Sequence, residues 1–220
     1  AALRDTFSFS LRLLFFITLP AMAGLIVLSE PIIQVLLQRG EFTAEAASET
    51  AYALICYSTG LWAFVGTRIV ASTFYSLQDM KTPVKIAALS ILTNIVFSLL
   101  LMGPLRHGGL ALANALGSAV NFSLLFYFLR KRLGKLDGRN IVRSFIRAGA
   151  ASAAMAAAAL LGLRAFGWSE IASRVDRAGV LIAVIAASAA LFLALAAVMK
   201  SEELGYLISM RKRKGPDTAK

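Results

Sequence analysis

No aspartate or glutamate falls within the six long apolar runs of this chain, which also has one cysteine (Cys56), one histidine (His107) and five prolines. Each scarcity excludes something. A single cysteine allows neither an intrachain disulfide nor a cysteine metal cluster and leaves the redox compartment open. His107 has no second histidine or cysteine to share a metal with, so no metal site is expected. It reads as a hydrogen-bonded loop residue or a proton carrier. There is no Ser/His/Asp or Cys/His set and no P-loop, so covalent catalysis and ATP hydrolysis have no candidate residues. A transporter or a membrane scaffold, rather than an enzyme, is the expectation.

What the chain has in abundance is apolar surface. Of its 220 residues 58% are hydrophobic, with a mean hydropathy of +0.73, against roughly 45–50% in a soluble domain. A bilayer core about 30 Å thick needs about 20 mostly apolar helical residues to cross. Six stretches qualify, at residues 11–28, 51–74, 84–102, 109–129, 145–166 and 178–199. They are long and continuous, whereas strands of a membrane barrel would read as segments of about ten residues with alternating polarity. The expected fold is an all-α polytopic membrane protein with six transmembrane helices. The chain opens on Ala1 with no charged n-region or cleavage site before the first run. It reads as the middle of a longer protein rather than as one with a signal peptide.

A net charge of +11 would suggest nucleic acid in a soluble protein, but here the basic residues follow the connections between runs, and no nucleic-acid partner is expected. Lysines and arginines number 2 in the N-terminal arm, 2 in the second connection (Lys81, Lys85), 7 between Arg130 and Arg147 and 6 from Lys200 onward. The opposite side carries Arg39, Arg106, Arg164, Arg174 and Arg177. By the positive-inside rule the richer side is cytoplasmic, which puts both ends of the chain there. The tail run Arg211-Lys212-Arg213-Lys214 acts as a topology anchor or meets anionic lipid or a partner.

Within this plan Pro20 interrupts the first run, where a kink is expected. Residues 31–38 are too short to span and read as a helix lying on the outer surface, with Pro31 in its first turn. Thr43 is placed to cap the next helix and Glu45 to complement its N-terminal dipole, and that helix is expected to run on to about Ser76. The short stretch from Gly103 to Gly108 makes the third and fourth spans antiparallel neighbours. Four units follow: residues 1–133 as a four-helix part, 134–144 as a basic cytoplasmic linker, 145–200 as two extra helices and 201–220 as a basic tail. In the Ala-rich fifth run, the Gly149 and Ala153 pair is the expected close-packing surface.

Polar groups deep in a membrane are functional candidates. Arg68 lies about 12 Å in from the cytoplasmic end of its span, where it lines a cavity or snorkels to the interface. Asn94 and Ser98 share one face of the third span, and Asn114 and Asn121 one face of the fourth. Asn94, Ser98 and Asn114 could meet near mid-membrane as a cation site, a polar cavity or ordinary interhelical hydrogen bonds. In the turn Asp79-Met80-Lys81-Thr82-Pro83, Asp79 and Lys81 are gate candidates, exchanging partners as an inner mouth moves; a rigid turn held by Pro83 is the alternative.

Three strings then become recognisable: Leu37-Gln38-Arg39-Gly40-Glu41-Phe42-Thr43, Phe74-Tyr75-Ser76-Leu77-Gln78-Asp79-Met80-Lys81-Thr82-Pro83 and Gly103-Pro104-Leu105-Arg106-His107-Gly108-Gly109-Leu110. They closely resemble the bacterial MurJ (MviN) family of lipid II flippases, in order and spacing along essentially the whole chain. The resemblance implies spans nine to fourteen of a fourteen-helix protein of the multidrug/oligosaccharidyl-lipid/polysaccharide exporter superfamily. The first four helices would complete its C-terminal lobe and the last two would form a groove for the undecaprenyl tail. It implies the bacterial inner membrane, membrane lipid and a lipid-linked peptidoglycan precursor as ligands, and the missing N-terminal lobe and cell-wall synthesis proteins as partners. The family's essential cavity arginines lie mainly in that N-terminal lobe, so no catalytic residue carries over. Asn94, Ser98 and Asn114 fall where a cation site between lobes would be completed, although the family's acidic partners are missing from these positions. Arg68 and Asn121 remain as cavity candidates. No cofactor is expected beyond coupling to a monovalent cation or to the membrane potential. A drug or polysaccharide-lipid exporter and a non-transporting scaffold for cell-wall synthesis are the competing expectations.

Overall fold

A computed structural model describes residues 2–134, 138–171, 173–199 and 201–206, and among them there is no β-strand. The chain forms α1 (Ala2–Val27), α2 (Ser29–Leu37), α3 (Ala44–Ser58), α4 (Leu61–Ser76), α5 (Lys81–Leu133), α6 (Gly138–Ala165), a 3-10 turn (Trp168–Glu170) and α7 (Arg174–Val198). Among the described residues five helical runs are long and apolar enough to cross a membrane, with α3 and α4 together making one of them.

α5 is helical over 53 residues except at Arg106, where φ is 47° and ψ −126°. There the chain doubles back. The Ser90 hydroxyl donates to the Gly117 carbonyl at 2.7 Å, whereas in a straight helix 27 residues would separate the two by about 40 Å. Residues 81–105 and 107–133 are therefore antiparallel limbs, as expected, but the connection is tighter than a loop. A Cβ on Gly109 would come within 2.2 Å of the Leu101 carbonyl oxygen, so this return needs glycine.

Thr43 caps α3 as its sequence position indicates, its hydroxyl oxygen accepting from the Ala46 N–H at 3.2 Å, and Pro31 sits in the first turn of α2. The helix expected to continue from Thr43 to Ser76 is instead broken at Thr59 and Gly60. The break brings the chain against the second limb of α5, where a Cβ on Gly60 would stand 2.6 Å from the Ala115 Cα.

The main core joins Phe7, Leu11, Leu14 and Phe15 of α1 to Ala63, Val70 and Phe74 of α4, Phe122, Leu125 and Leu129 of α5, and Ile141 and Ala148 of α6. Phe122 is its hub: its ring meets those of Phe15, Trp62 and Phe126 at centroid distances of 6.4, 5.4 and 5.9 Å. α6 already begins within the stretch expected to be a linker and packs on α1 as well as α7. Two further clusters line this three-helix contact, Phe16 with Ala151, Met155, Phe192 and Ala196, and Leu28 with Ala159, Leu163, Leu181 and Val184. The close-packing face of α6 is Ala148, Ala151, Ser152, Met155 and Ala159, not Gly149 with Ala153. A Cβ on Gly149 would meet nothing, and Ala153 is exposed. Small residues occur all around this helix, so their presence does not mark the stripe that packs.

α2 is held at its C-terminus by α7. The Arg174 guanidinium donates to the Val35 carbonyl at 2.6 Å, satisfying a group the end of a helix leaves unpaired, and the Trp168 indole N–H donates to the Gln34 side-chain oxygen at 3.0 Å.

Candidate functional site

The first limb of α5 buries only Pro83, Ile86 and Ser90, leaving Leu92, Ile95, Val96, Leu99 and Leu100 exposed. Where the two limbs meet beside this apolar wall, their polar residues gather. Ser90, Asn94, Asn114 and Ser118 line one cleft of about 230 Å³. A second, about 240 Å³, is lined by Tyr57, Gly60, Leu61, Phe64, Asn114, Ala115 and Ser118. Asn114 and Ser118 belong to both, so the clefts flank one stripe of α5.

Of the residues singled out from sequence, Asn94 and Asn114 are brought to the same cleft. Ser98, one turn further along the limb, is half-buried outside its lining. Asn121 lies two turns beyond Asn114, with its Oδ1 buried and without a hydrogen-bond partner. Arg68 is exposed and its guanidinium lies over the Phe64 ring, 5.2 Å from the centroid. An exposed stack of this kind contributes about 0.5–1 kcal/mol and holds the cation on the face that carries Phe64 and the second cleft.

Sequence reading missed Ser90, Ser118, Tyr57 and Phe64. Ser90 precedes Asn94 by four residues and Ser118 follows Asn114 by four, so helical spacing alone marks both. The aromatics had no such signal. The face supplies neutral amide and hydroxyl oxygens, one arginine and aromatic rings. Among the described residues no group of three His, Cys, Asp or Glu side chains could hold a metal ion.

At the α4–α5 turn Asp79 accepts from the Thr82 N–H at 3.0 Å and from the Thr82 hydroxyl at 2.8 Å. Its ionic partner is Arg132, at the far end of α5. Lys81 stays exposed on the first turn of that helix. The Asp79 carboxyl is held below its usual range, first by the Thr82 backbone and hydroxyl bonds and then by Arg132, with partial burial opposing. Asp79 therefore joins the start of one limb to the end of the other.

A second polar assembly, unforeseen from sequence, forms where residues 201–206 return against α1 and α6. Glu203 is 4% exposed and accepts from the Ser144 hydroxyl at 2.8 Å and the Ser201 hydroxyl at 2.7 Å. Arg12 reaches both Glu202, at 3.0 Å, and Glu203, at 3.7 Å. Burial pushes the Glu203 carboxyl up, but the bonds from Ser201, its own backbone N–H and Ser144 and the charge of Arg12 outweigh it, leaving a net downward shift.

Comparison with known proteins gives a consistent result. The family described as "Lipid II flippase MurJ" matches residues 1–175. Over 191 residues the chain is 36% identical to the "Probable lipid II flippase MurJ" of Rhizobium meliloti, covering 85% of this chain and 35% of that protein. It is 31% identical over 192 residues to the "Lipid II flippase MurJ" of Burkholderia cenocepacia, covering 86% of this chain and 37% of the relative. The chain thus spans about a third of the length of these curated relatives. A solved structure titled "Lipid II flippase MurJ, inward closed conformation" superposes with a TM-score of 0.65 at 22% identity, covering 86% of this chain and 40% of that one, which is a likeness of fold. The expected architecture is therefore observed as an all-helical, multi-pass membrane protein. With the family model matched over most of this chain and relatives on both sides of one-third identity, the chain belongs to the MurJ lipid II flippase family.

Proposed function

We propose that this chain is the C-terminal part of a lipid II flippase, in which it supplies one wall of a cavity that alternately opens to the two sides of the membrane. The observation that carries the reading is the juxtaposition of Arg68 on Phe64 with the Asn94–Asn114 clefts, beside a limb of α5 left uncovered. Polar groups on a membrane helix face protein or a water-filled cavity rather than hydrocarbon, so this face requires a partner surface, and the N-terminal lobe of the same protein supplies it.

Desolvation gives the reason for such a cavity. A diphosphate crossing hydrocarbon bare would cost tens of kcal/mol. A hydrated cavity with a fixed cation removes most of that cost, while the lipid tail remains outside. In this scheme α5 crosses twice and the chain six times, with both ends cytoplasmic in the bacterial inner membrane. Residues 1–133 belong to the transport lobe and α6–α7 contribute the tail groove. The neutral oxygens around Asn94 and Asn114 suit a weakly held monovalent cation, and Asp79, with Lys81 on the adjoining turn, works the inner gate.

Complementation is the test. A full-length gene carrying this segment should restore growth to a strain depleted of its lipid II flippase and clear lipid II from the inner leaflet. Failure to complement, with normal lipid II distribution and mislocalised cell-wall enzymes on inactivation, would favour a scaffold. Drug efflux without complementation would favour an exporter.

A further inference from the structure

α2 stands between two cores. Ile32 and Val35 pack, with Trp168 and Val180, against the cluster that includes Ala159, Leu163, Leu181 and Val184 of α6 and α7. Ile33, on another face, is buried with Ala47 and Ala51 of α3. Neither α6 nor α7 packs extensively on α3 itself, so α2 is the bridge between them. Its C-terminus is clamped by polar contacts. Arg174 donates from Nε and Nη2 to the Val35 carbonyl at 3.1 and 2.6 Å, and Nη2 reaches the Leu36 carbonyl at 3.4 Å. Trp168 donates to Gln34, whose amide donates in turn to Glu30 at 3.0 Å. Among the described residues Arg174 has no carboxylate partner, and its hydrogen bonds go to α2 alone. In the proposed orientation it lies on the outer side, where the positive-inside rule gives no reason for an arginine.

We propose, on the reading of the second cleft as cavity wall, that Arg174 is a positioning residue for it. By clamping the end of α2, it makes that helix a strut through which α7 fixes the outer half of the α3–α4 span. Two observations select this role. A guanidinium suits the unpaired carbonyls and the negative dipole end of a helix C-terminus. The span it steadies is jointed: at the break the ladder shortens to a bond from the Gly60 N–H to the Tyr57 carbonyl, at 3.1 Å. Tyr57, just before that joint, lines the second cleft with Phe64 and Asn114, so the outer segment needs holding for the cleft to keep its shape.

The first measurement is independent of transport. Hydrogen exchange on the purified full-length protein should show Arg174→Ala speeding exchange about tenfold in residues 32–38 and 44–50, as bonds from a charged donor are lost, with residues 107–133 unchanged. Arg174→Lys should do less, because an ammonium keeps the charge without the forked donors. Arg164→Ala, removing the same charge on the same side, should change neither segment. If Arg174→Ala fails to reach the membrane, Trp168→Phe gives the reading at 32–38, since it removes the indole N–H and keeps an apolar ring. The second measurement reads lipid II flipping in spheroplasts. Arg174→Ala should lose most of it. Adding Gln34→Cys and Trp168→Cys in a background without other cysteines, and joining the two thiols with a cleavable bifunctional methanethiosulfonate, should restore flipping until reductant releases the link. Unchanged exchange in 32–38 and 44–50, an equal change with Arg164→Ala, or no rescue by the joined thiols would each overturn the proposal. If wild type itself flips no lipid II, the transport reading fails, and exchange still decides whether the strut exists.

Discussion

Ser144 of α6 donates its hydroxyl hydrogen to Glu203, 59 residues further on, at 2.8 Å. Through that bond the segment after α7 is fastened to α6, and through Arg12 both are fastened to α1. The T-shaped contact of Tyr206 with Phe9, at 4.6 Å between centroids, extends the same seam.

Glu203→Ala should destabilise the protein by about 1–3 kcal/mol, because it leaves buried donors without an acceptor, and Ser144→Ala by less. The pH dependence has a defined sign. The folded carboxyl is shifted below its ordinary value of 4.5, so its stabilisation is present above that value and is lost as pH falls through the folded pKa. Thermal unfolding in detergent should therefore separate wild type from Glu203→Gln near pH 7, and the gap should shrink progressively below pH 4.5.

At the α4–α5 turn the ion pair is Asp79 with Arg132, which makes the two residues a unit. Asp79→Ala and Arg132→Ala should impair complementation to a similar degree, and the double variant should be no worse than either alone. Lys81→Ala should have a smaller effect. Membrane expression of all four should match wild type; loss of insertion in Asp79→Ala would assign the residue a purely structural role.

Gly60→Ala should cost about 1–3 kcal/mol by overpacking, since its new methyl would stand 2.6 Å from the Ala115 Cα and 2.7 Å from its Cβ. The second clash is removable and the first is not. Ala115→Gly should accordingly restore only part of the loss in a double-mutant cycle, read by unfolding temperature.

Arg106 occupies a left-handed backbone region at the return of α5, a conformation that costs a non-glycine residue about 1–3 kcal/mol. Arg106→Gly should therefore raise the unfolding temperature, provided that its side chain holds nothing else in place. A fall would show that the arginine, and not the backbone, maintains the turn.

Much of this was readable from the chain itself. Thr43 announced its cap because a hydroxyl before an apolar helix has few other uses, and the run from Gly103 to Gly108 announced a return because six residues cannot separate two spans far. Asn94 and Asn114 were paired on the same grounds. Ser98 was grouped with them because four-residue spacing gives a common helix face. Spacing cannot say how far along that face the neighbouring limb remains close, and the cleft stops short of Ser98. For Arg68, sequence left a cavity and the interface equally open; the stack on Phe64 keeps it on the exposed face of α4.

Sequence by itself determined that these runs are helices in a membrane and which ends carry the charge, because the cost of an unpaired peptide group or an unneeded cation in hydrocarbon admits few exceptions. Tertiary structure alone decided which faces meet. Lipid and protein interior are both apolar, so periodicity does not distinguish the packed stripe of α6 from the lipid-facing one. Likewise, the pairing of Glu203 with Ser144 and Arg12 joins residues too distant in the chain for any local pattern to record.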